Sequence, residues 1–201
     1  MLTYLTHYYI QGDAPFRSLS ALSDSEAITV MESLYVDNPV ADRFKEPAQY
    51  MQNRRQVEHW VRDEFIAKGG APREYYPLYA VLGYSHWMED NLATLELSSV
   101  RVPLTIFSPG DISFTYPDSM VTYWLGEDKE SAHYQSGYHG KIFTLSDLDQ
   151  LEHIYGTPED KGRTALWEGM GPYIEYIEAQ IWNHQVLFDY LKSVGAAEAP
   201  E

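Results

Sequence analysis

The sequence predicts an α+β fold, in which a mixed or antiparallel central sheet is packed by several helices, including a long C-terminal helix. Three observations favour this class: strand-like segments cluster in the middle of the chain, helical periodicity is strongest on either side of them, and strands and helices do not alternate regularly. The length of 201 residues is typical of one domain. We assign a single globular domain to residues 1–195 and a disordered tail to residues 196–201.

The first third of the chain is predicted to hold one strand followed by two helices. Residues 3–10 are rich in β-branched and aromatic side chains, as strands are. A Ser-x-x-Glu capping box precedes apolar residues spaced three and four apart, which predicts a helix over residues 24–36. A second helix is predicted over residues 47–68, because a proline opens it and a pair of glycines follows it.

The middle of the chain is predicted to be rich in strands, because short apolar runs there are separated by turn residues. Asp118 caps a short predicted helix that ends at Gly126, and a polar loop follows over residues 127–140. Another helix is predicted over residues 148–155. The predicted strands cover residues 77–83, 91–98, 100–107, 112–116 and 141–145.

The long C-terminal helix is predicted over residues 172–194, between Pro172 and Gly195, after an irregular segment at 157–171. A helix of this length measures roughly 34 Å at 1.5 Å per residue, so we expect it to lie across the body of the fold. Its apolar stripe repeats every three or four residues. The stripe consists of Ile174, Ile177, Ile181, His184, Phe188 and Leu191.

The composition excludes several classes of function. The 14 Lys and Arg residues against 30 Asp and Glu residues leave a net charge of −16, whereas nucleic-acid phosphates require a basic surface. The same charge disfavours anionic membranes, and no apolar run is long enough to span a bilayer. The N-terminus lacks the basic leader of a signal peptide, and the chain contains no cysteine. We therefore expect a cytoplasmic bacterial protein that binds neither nucleic acid nor membrane.

One helix face departs from the acidic character of the chain. Arg54, Arg55 and Arg62 lie on the side of the predicted helix at 47–68 that is opposite its apolar residues. The pattern is typical of a solvated helix face with i,i+4 ion pairs, such as Glu58 with Arg62. The alternative is a face that recognises anions.

Histidine provides the candidate acid–base chemistry, because the chain lacks the strong motifs of nucleotide-binding loops, serine hydrolases and zinc proteases. His139 lies in the polar loop, and His184 lies on the stripe of the C-terminal helix, with Glu178 about 60° away around that helix. This arrangement predicts an acid–base set of His139 or His184 with Glu178. The alternatives are an exposed loop histidine and a hydrogen-bonded core histidine. No metal-ligand spacing is present, and no cofactor is predicted.

Tyrosine and tryptophan are unusually frequent, with 17 and 5 residues respectively. Their rings carry one polar group each, which suits cores, interfaces and small-molecule clefts. The sequence favours an aromatic-rich binding module for a small molecule or a protein partner, with Tyr123, Tyr138 and Trp182 as the binding residues. The alternative is an enzyme with a His/Glu acid–base site.

Three residues occur in an order found in a known enzyme family: His7 in the N-terminal strand, Tyr116 in a Ser-Phe-Thr-Tyr segment, and Glu178 in a Tyr-Ile-Glu-Ala-Gln segment. This order resembles that of ADP-ribosyltransferases of the His-Tyr-Glu type. The resemblance implies that His7 and Tyr116 hold a nicotinamide dinucleotide and that Glu178 orients the reacting ribose. More broadly, the chain resembles small, uncharacterised, lineage-restricted cytosolic proteins of bacteria, which implies no activity.

From the net charge we expect no binding to duplex DNA or RNA at physiological salt. A gel-shift titration into labelled duplexes should show no complex at micromolar protein. Micromolar binding that weakens with salt and disappears when Arg54, Arg55 and Arg62 are replaced would contradict this expectation.

Overall fold

The computed structural model describes residues 2–37, 42–85, 88–89, 97–155, 165–167, 171–173 and 176–196, and these residues form an α+β fold as predicted. The helices are α1 (Asp24–Asp37), α2 (Pro47–Ala67), α3 (Ser119–Glu127), α4 (Leu148–Tyr155) and α5 (His184–Ser193). The strands are β1 (Tyr4–Ile10), β2 (Leu78–Leu82), β3 (Leu97–Pro103), β4 (Ile112–Thr115), β5 (Phe143–Thr144), β6 (Ala165–Trp167), β7 (Gly171–Tyr173) and β8 (Glu178–Ile181). None of these helices is both long and apolar enough to cross a membrane.

Six of the strands form one antiparallel sheet in the order β3–β1–β2–β8–β4–β5. The last described strand, β8, therefore lies between β2 and β4, which are far from it in sequence. Its register is fixed on both sides at Ile181, which lies opposite Leu78 of β2 and Ile112 of β4. Strands β6 and β7 pair with each other in a separate antiparallel sheet.

Strand β8 has unlike side chains on its two faces. Ala179 and Ile181 point to one face, and Glu178 and Gln180 point to the other, because side chains alternate along a strand. All four residues are buried. At its centre the sheet therefore has an apolar face and a polar face, and other elements cover both.

The apolar face carries the main hydrophobic core. Leu5 of β1, Leu82 of β2 and Phe114 of β4 are fully buried there. Each such side chain contributes roughly 1.5–3 kcal/mol through the removal of its apolar surface from water. Helices α4 and α5 cover this face with four buried leucines, Leu148, Leu151, Leu187 and Leu191.

Helices α2 and α3 cover the polar face. Val61 and Phe65 of α2 pack with Trp182, which follows β8 and is fully buried. The indole nitrogen of Trp182 donates to Ser113 Oγ of β4 at 2.9 Å, so its polar group is satisfied inside the core. Helix α1 packs in turn on α2 through a smaller cluster of Ala27, Met31, Phe44 and Met51.

Each arginine of the predicted basic face interacts with a partner within the chain. Arg54 Nε lies 3.0 Å from Glu58 Oε1, and Arg55 lies 2.7 Å from an aspartate of α1. The guanidinium of Arg62 donates to the backbone oxygen of Glu74 at 3.2 Å. The i,i+4 partner of Glu58 is thus Arg54 and not the expected Arg62. These contacts favour the interpretation of this face as an ion-paired helix surface.

The prediction of a long C-terminal helix over residues 172–194 is wrong. The helix is short and begins at His184, while residues 171–173 form β7 and residues 178–181 form β8. The sequence of β8 also alternates between polar and apolar residues, a strand pattern hidden within the three-and-four spacing of the isoleucines. Pairing with β2 and β4 satisfies the backbone of this segment, and the elements packed on the sheet bury both of its faces, so the tertiary context decides in favour of a strand.

Two other predicted regions also differ from the structure. Strands were expected at 91–98 and 100–107, whereas the single strand β3 is followed by a 3₁₀ turn, and residues 91–96 lie outside the described residues. Strand β6 lies within the segment at 157–171 that was expected to be irregular. Of the tail predicted at 196–201, all but the first residue lies outside the described residues.

We expect Ile181→Ala to lower the free energy of unfolding by about 2–5 kcal/mol, the usual effect of truncating a buried isoleucine. Ile181 is 0% exposed and lies at the centre of the apolar face. Val36→Ala is a suitable control, because Val36 is 77% exposed. Urea denaturation followed by circular dichroism measures both variants. Equal losses in the two would contradict the placement of Ile181 in the core.

Candidate functional site

Two cavities contain residues that the sequence analysis selected. The first, which we call the loop cavity, has a volume of about 220 Å³ and lies between α2, α3 and the loop that follows α3. The second, the strand cavity, has a volume of about 170 Å³ and lies on the polar face of β1, β2 and β8. Tyr123 and His139 line the loop cavity, whereas His7 and Glu178 line the strand cavity.

Close contact between two glycines builds part of the loop cavity. A Cβ atom on Gly126 of α3 would overlap the Cα of Gly140, so a larger residue would separate the helix from the loop. Gly140 donates its amide to the backbone oxygen of Thr122 at 2.8 Å, and Thr122 Oγ1 donates to the backbone oxygen of Tyr138 at 2.9 Å. These contacts hold the loop that carries His139 against α3.

The loop cavity is poorly suited to acid–base catalysis near neutral pH. Burial lowers the pKa of His139 to about 4, so its imidazole is neutral at physiological pH. Its Nδ1 accepts a hydrogen bond from the Gln135 backbone amide at 2.9 Å. The charged residues of the wall, Glu127, Lys129 and Lys141, are exposed and of mixed sign, so they favour neither an anion nor a cation.

Three of the other selected residues belong to the core or pack against it. Trp182 is 0% exposed, and Tyr116 is 2% exposed on the apolar face. Tyr138 packs against the rings of Tyr116 and His139, with centroid distances of 4.8 and 4.5 Å. The structure therefore brings Tyr138 and His139 together, but it gives a ligand no access to Trp182.

His184 begins α5 and lines neither of the two cavities. The centroid of its ring lies 5.3 Å from that of Tyr76 and 6.3 Å from that of Phe188. Burial lowers the pKa of His184. This residue is a half-buried packed histidine, and the structure does not combine it with Glu178 into an acid–base set.

Three strands supply the walls of the strand cavity. Thr6 and Tyr8 project from β1, and Tyr79 and Val81 project from β2, because residues two apart share a face of a strand. Glu178 projects from β8 at the position opposite Val81 in the strand register. The lining also includes Met88 and Tyr176.

Glu178 is the acidic group of the strand cavity and is 9% exposed. Its Oε1 accepts hydrogen bonds from the Ser119 backbone amide and from Gln180 Nε2, both at 3.0 Å. The side chain of Ser119 also hydrogen-bonds to this carboxyl. Burial and then the nearby carboxyl of Asp118 raise the pKa of Glu178 to about 7.

Asp118 and Glu178 meet at the N-terminus of α3. Asp118 is the N-cap of this helix, and its Oδ1 accepts a hydrogen bond from the Val121 amide at 2.9 Å. The next residue, Ser119, donates its amide to Glu178. Burial raises the pKa of Asp118 as well. Two neighbouring carboxyls do not both ionise readily, and the charge of Asp118 raises the pKa of Glu178.

A second carboxyl network lies beside the strand cavity. Tyr79 Oη donates to Glu58 Oε1 at 3.1 Å, and Ser20 Oγ donates to the same oxygen at 2.8 Å. Arg54 Nε lies 3.0 Å from that oxygen, and its guanidinium lies over the Tyr79 ring at 4.8 Å. Glu58 therefore has its own counter-ion, whereas no described cation forms an ion pair with Glu178.

His7 uses both of its ring nitrogens within the protein. The Phe16 backbone amide donates to His7 Nε2 at 2.9 Å, so Nδ1 carries the proton and donates to the backbone oxygen of Tyr79, also at 2.9 Å. Burial lowers the pKa of His7 to about 4. The ring stacks on Phe16, whose backbone is left-handed (φ 61°). These contacts give His7 a structural role at the edge of the cavity.

The three residues of the ADP-ribosyltransferase resemblance are not brought together. His7 and Glu178 line the strand cavity, whereas Tyr116 lies in the core on the opposite face of the sheet. Comparison with protein-family models, with curated proteins and with solved structures finds no match for the chain. Among the described residues, no group of three or more His, Asp or Glu side chains is placed to hold a metal ion.

Sequence reasoning missed most residues of the candidate site, including Asp118 and three tyrosines. The sequence identified Asp118 only as a helix cap, because its proximity to Glu178 depends on how α3 packs against β8. Tyr8, Tyr79 and Tyr176 come from separate segments. The alternation along each strand groups Tyr8 and Tyr79 with the residues two positions away on their own strands. It does not show that the two strands pair and bring these side chains to one cavity.

We expect Glu178→Gln to stabilise the protein progressively as the pH rises. The folded chain holds a proton on Glu178 up to a pKa of about 7, whereas the unfolded chain releases it near 4.5. The carboxyl therefore lowers the free energy of unfolding by an amount that grows as the pH rises from 4.5 to about 7 and then stays constant. Its replacement by an amide removes that effect. The gain in unfolding free energy relative to the parent should increase by about 3 kcal/mol between pH 4.5 and pH 8.

Urea denaturation at pH 4.5, 6 and 8 measures this difference. Glu152→Gln is the matched control, because Glu152 is also 9% exposed but lies outside the strand cavity. A gain for Glu178→Gln that stays constant over this pH range would contradict the raised pKa of Glu178.

Proposed function

We propose that this protein binds a small organic molecule in the strand cavity, with the Glu178 carboxyl as the principal polar contact. The observation that carries the proposal is the position of Glu178: a buried carboxyl lines the strand cavity, and no described cation forms an ion pair with it. A ligand that pairs with this carboxyl compensates the cost of burying it.

The lining of the strand cavity supports this proposal. Ligand sites are mostly apolar with a small number of well-placed polar groups, and the walls here combine aromatic and aliphatic side chains with one carboxyl. The volume of about 170 Å³ lies below the roughly 300–1,000 Å³ typical of sites for drug-sized ligands. The ligand is therefore a compact molecule, much smaller than a dinucleotide.

The rigidity of the walls also supports a binding role. Tyr79 and Val81 lie on a strand that is hydrogen-bonded on both sides, to β1 and to β8. Thr6 Oγ1 also donates to the backbone oxygen of Gly83, which ties β1 to the end of β2. A site with preformed walls loses little conformational entropy when a ligand binds.

The second candidate function is an enzyme in which Glu178 acts as general acid or base. The observation that favours it is the pKa of about 7, because such a carboxyl exchanges a proton readily at neutral pH. Acid–base catalysis usually needs a second group, however, and His139 and His184 lie outside the strand cavity. His7 has no free ring nitrogen. The geometry therefore favours binding over catalysis.

A thermal-shift screen of small metabolites tests the proposal. We expect at least one compact compound to raise the melting temperature of the parent and of Glu152→Gln. The same compound should give at least a tenfold weaker response with Glu178→Gln, because its main polar contact is lost. Mass spectrometry of the incubated mixtures shows whether any product forms.

Three outcomes would count against the binding proposal. A product whose formation requires Glu178 would favour the enzyme instead. Equal responses from Glu178→Gln and the parent would place the ligand elsewhere, and the loop cavity would be the next candidate. The absence of any response from a broad screen would remove the proposal.

A further inference from the structure

We propose that the ligand of the strand cavity is a small organic cation, and that its ammonium group pairs with the Glu178 carboxylate. This inference rests on the proposed function and adds the chemical class of the ligand. The charge of the lining, the pairing of the neighbouring cations and the aromatic walls each support it.

Glu178 is the only lining group of the described cavity that can be charged near neutral pH. His7 is kept neutral by the hydrogen bonds to its two ring nitrogens. Burial raises the pKa of Tyr8 to about 12 and that of Tyr79 well above its usual value, so both hydroxyls stay protonated. A ligand loses water when it enters, and a positive charge is the group that this lining can compensate.

The cations of the surrounding elements already interact with other groups. Arg54 of α2 pairs with Glu58, at 3.0 Å. Arg43, in the 3₁₀ turn before α2, lies over the Phe44 ring at 4.7 Å, and its charge acts on Asp118. The carboxyl pair of Asp118 and Glu178 therefore lacks a full counter-ion among the described residues. A bound cation can supply the missing positive charge.

The aromatic walls suit a cation in particular. Tyr8, Tyr79 and Tyr176 line the cavity together with the thioether of Met88. The faces of aromatic rings attract cations, and aromatic side chains line many sites for quaternary ammonium groups. A neutral ligand of the same shape would fill the cavity without this attraction and without a charge to pair with Glu178.

Binding of a cation should release a proton, so the affinity should depend on pH. The cation binds the ionised carboxyl, and protonation of Glu178 competes with it. With a pKa of about 7 for Glu178, the apparent affinity should be about tenfold lower at pH 6 than at pH 8. The other titratable groups that interact with this carboxyl are Asp118 and Tyr79, and neither His7 nor Tyr8 changes charge in this range.

Isothermal titration calorimetry with the whole chain tests the inference. The probes are choline, tetramethylammonium and butylammonium chlorides, and the neutral control is 3,3-dimethyl-1-butanol, which has the shape of choline without its charge. We expect at least one cation to bind at pH 8 and to bind about tenfold more weakly at pH 6. The observed heat should change with the ionisation enthalpy of the buffer, because a proton is released.

Three variants separate a binding role of the carboxyl pair from a structural one. Glu178→Gln should abolish cation binding, whereas Glu152→Gln should leave it unchanged. Asp118→Asn keeps an N-cap oxygen for α3 but removes the charge that raises the pKa of Glu178. It should make the affinity for the cation less dependent on pH between pH 6 and 8 than in the parent, a change that loss of packing alone would not produce.

The outcomes distinguish this inference from the proposed function. If the neutral control binds as tightly as choline, or if none of the three cations binds while the metabolite screen finds a ligand that needs Glu178, the cation inference is overturned and the binding site stands. If cations bind equally to the parent and to Glu178→Gln, the inference also fails. If neither the cations nor the screen gives a ligand, both proposals fail.

Discussion

A strand that is buried on both faces needs a packing or hydrogen-bond partner inside the protein for each of its side chains. Strand β8, between β2 and β4, is such a strand, and its neighbours in the sheet must supply these partners. Ala179 and Ile181 have their partners in the apolar core. On the other face Gln180 hydrogen-bonds to three neighbouring side chains. Its Oε1 accepts from Ser113 Oγ at 3.0 Å, and its Nε2 donates to Thr115 Oγ1 at 2.9 Å and to Glu178 Oε1 at 3.0 Å. Without these partners the polar groups of β8 would cost several kcal/mol to bury.

The same network fixes the position of the candidate site. It runs from the indole of Trp182 through Ser113 and Gln180 to Glu178, and it ends at the first amide of α3. The position of Oε1 is therefore set by the sheet and by the helix together. The carboxyl that would contact a ligand thus depends on hydrogen bonds deep in the core.

The elements that local signals determine were predictable from the sequence. The capping box of α1, the proline and glycines around α2 and the Asp118 cap of α3 each act within a few residues, and the structure confirms the corresponding helices. Strand β8 was not predictable in this way, because its four residues fit a helical stripe and a strand equally well. Only pairing with β2 and β4, which lie far away in sequence, decides between the two. The strand cavity depends on the same long-range pairing, so of its lining the sequence indicated Glu178 and His7 alone.

The two edges of the described sheet bear on self-association. Strand β5 has only two residues, which offers little backbone for another chain to pair with. Strand β3 is longer, but Pro103 lacks an amide hydrogen and Arg101 places an exposed positive charge on that edge. Short edge strands, prolines and charges are the features that prevent sheets from adding strands from other molecules. Together with a net charge of −16, which repels other copies, these features disfavour edge-to-edge aggregation at the two ends of the described sheet.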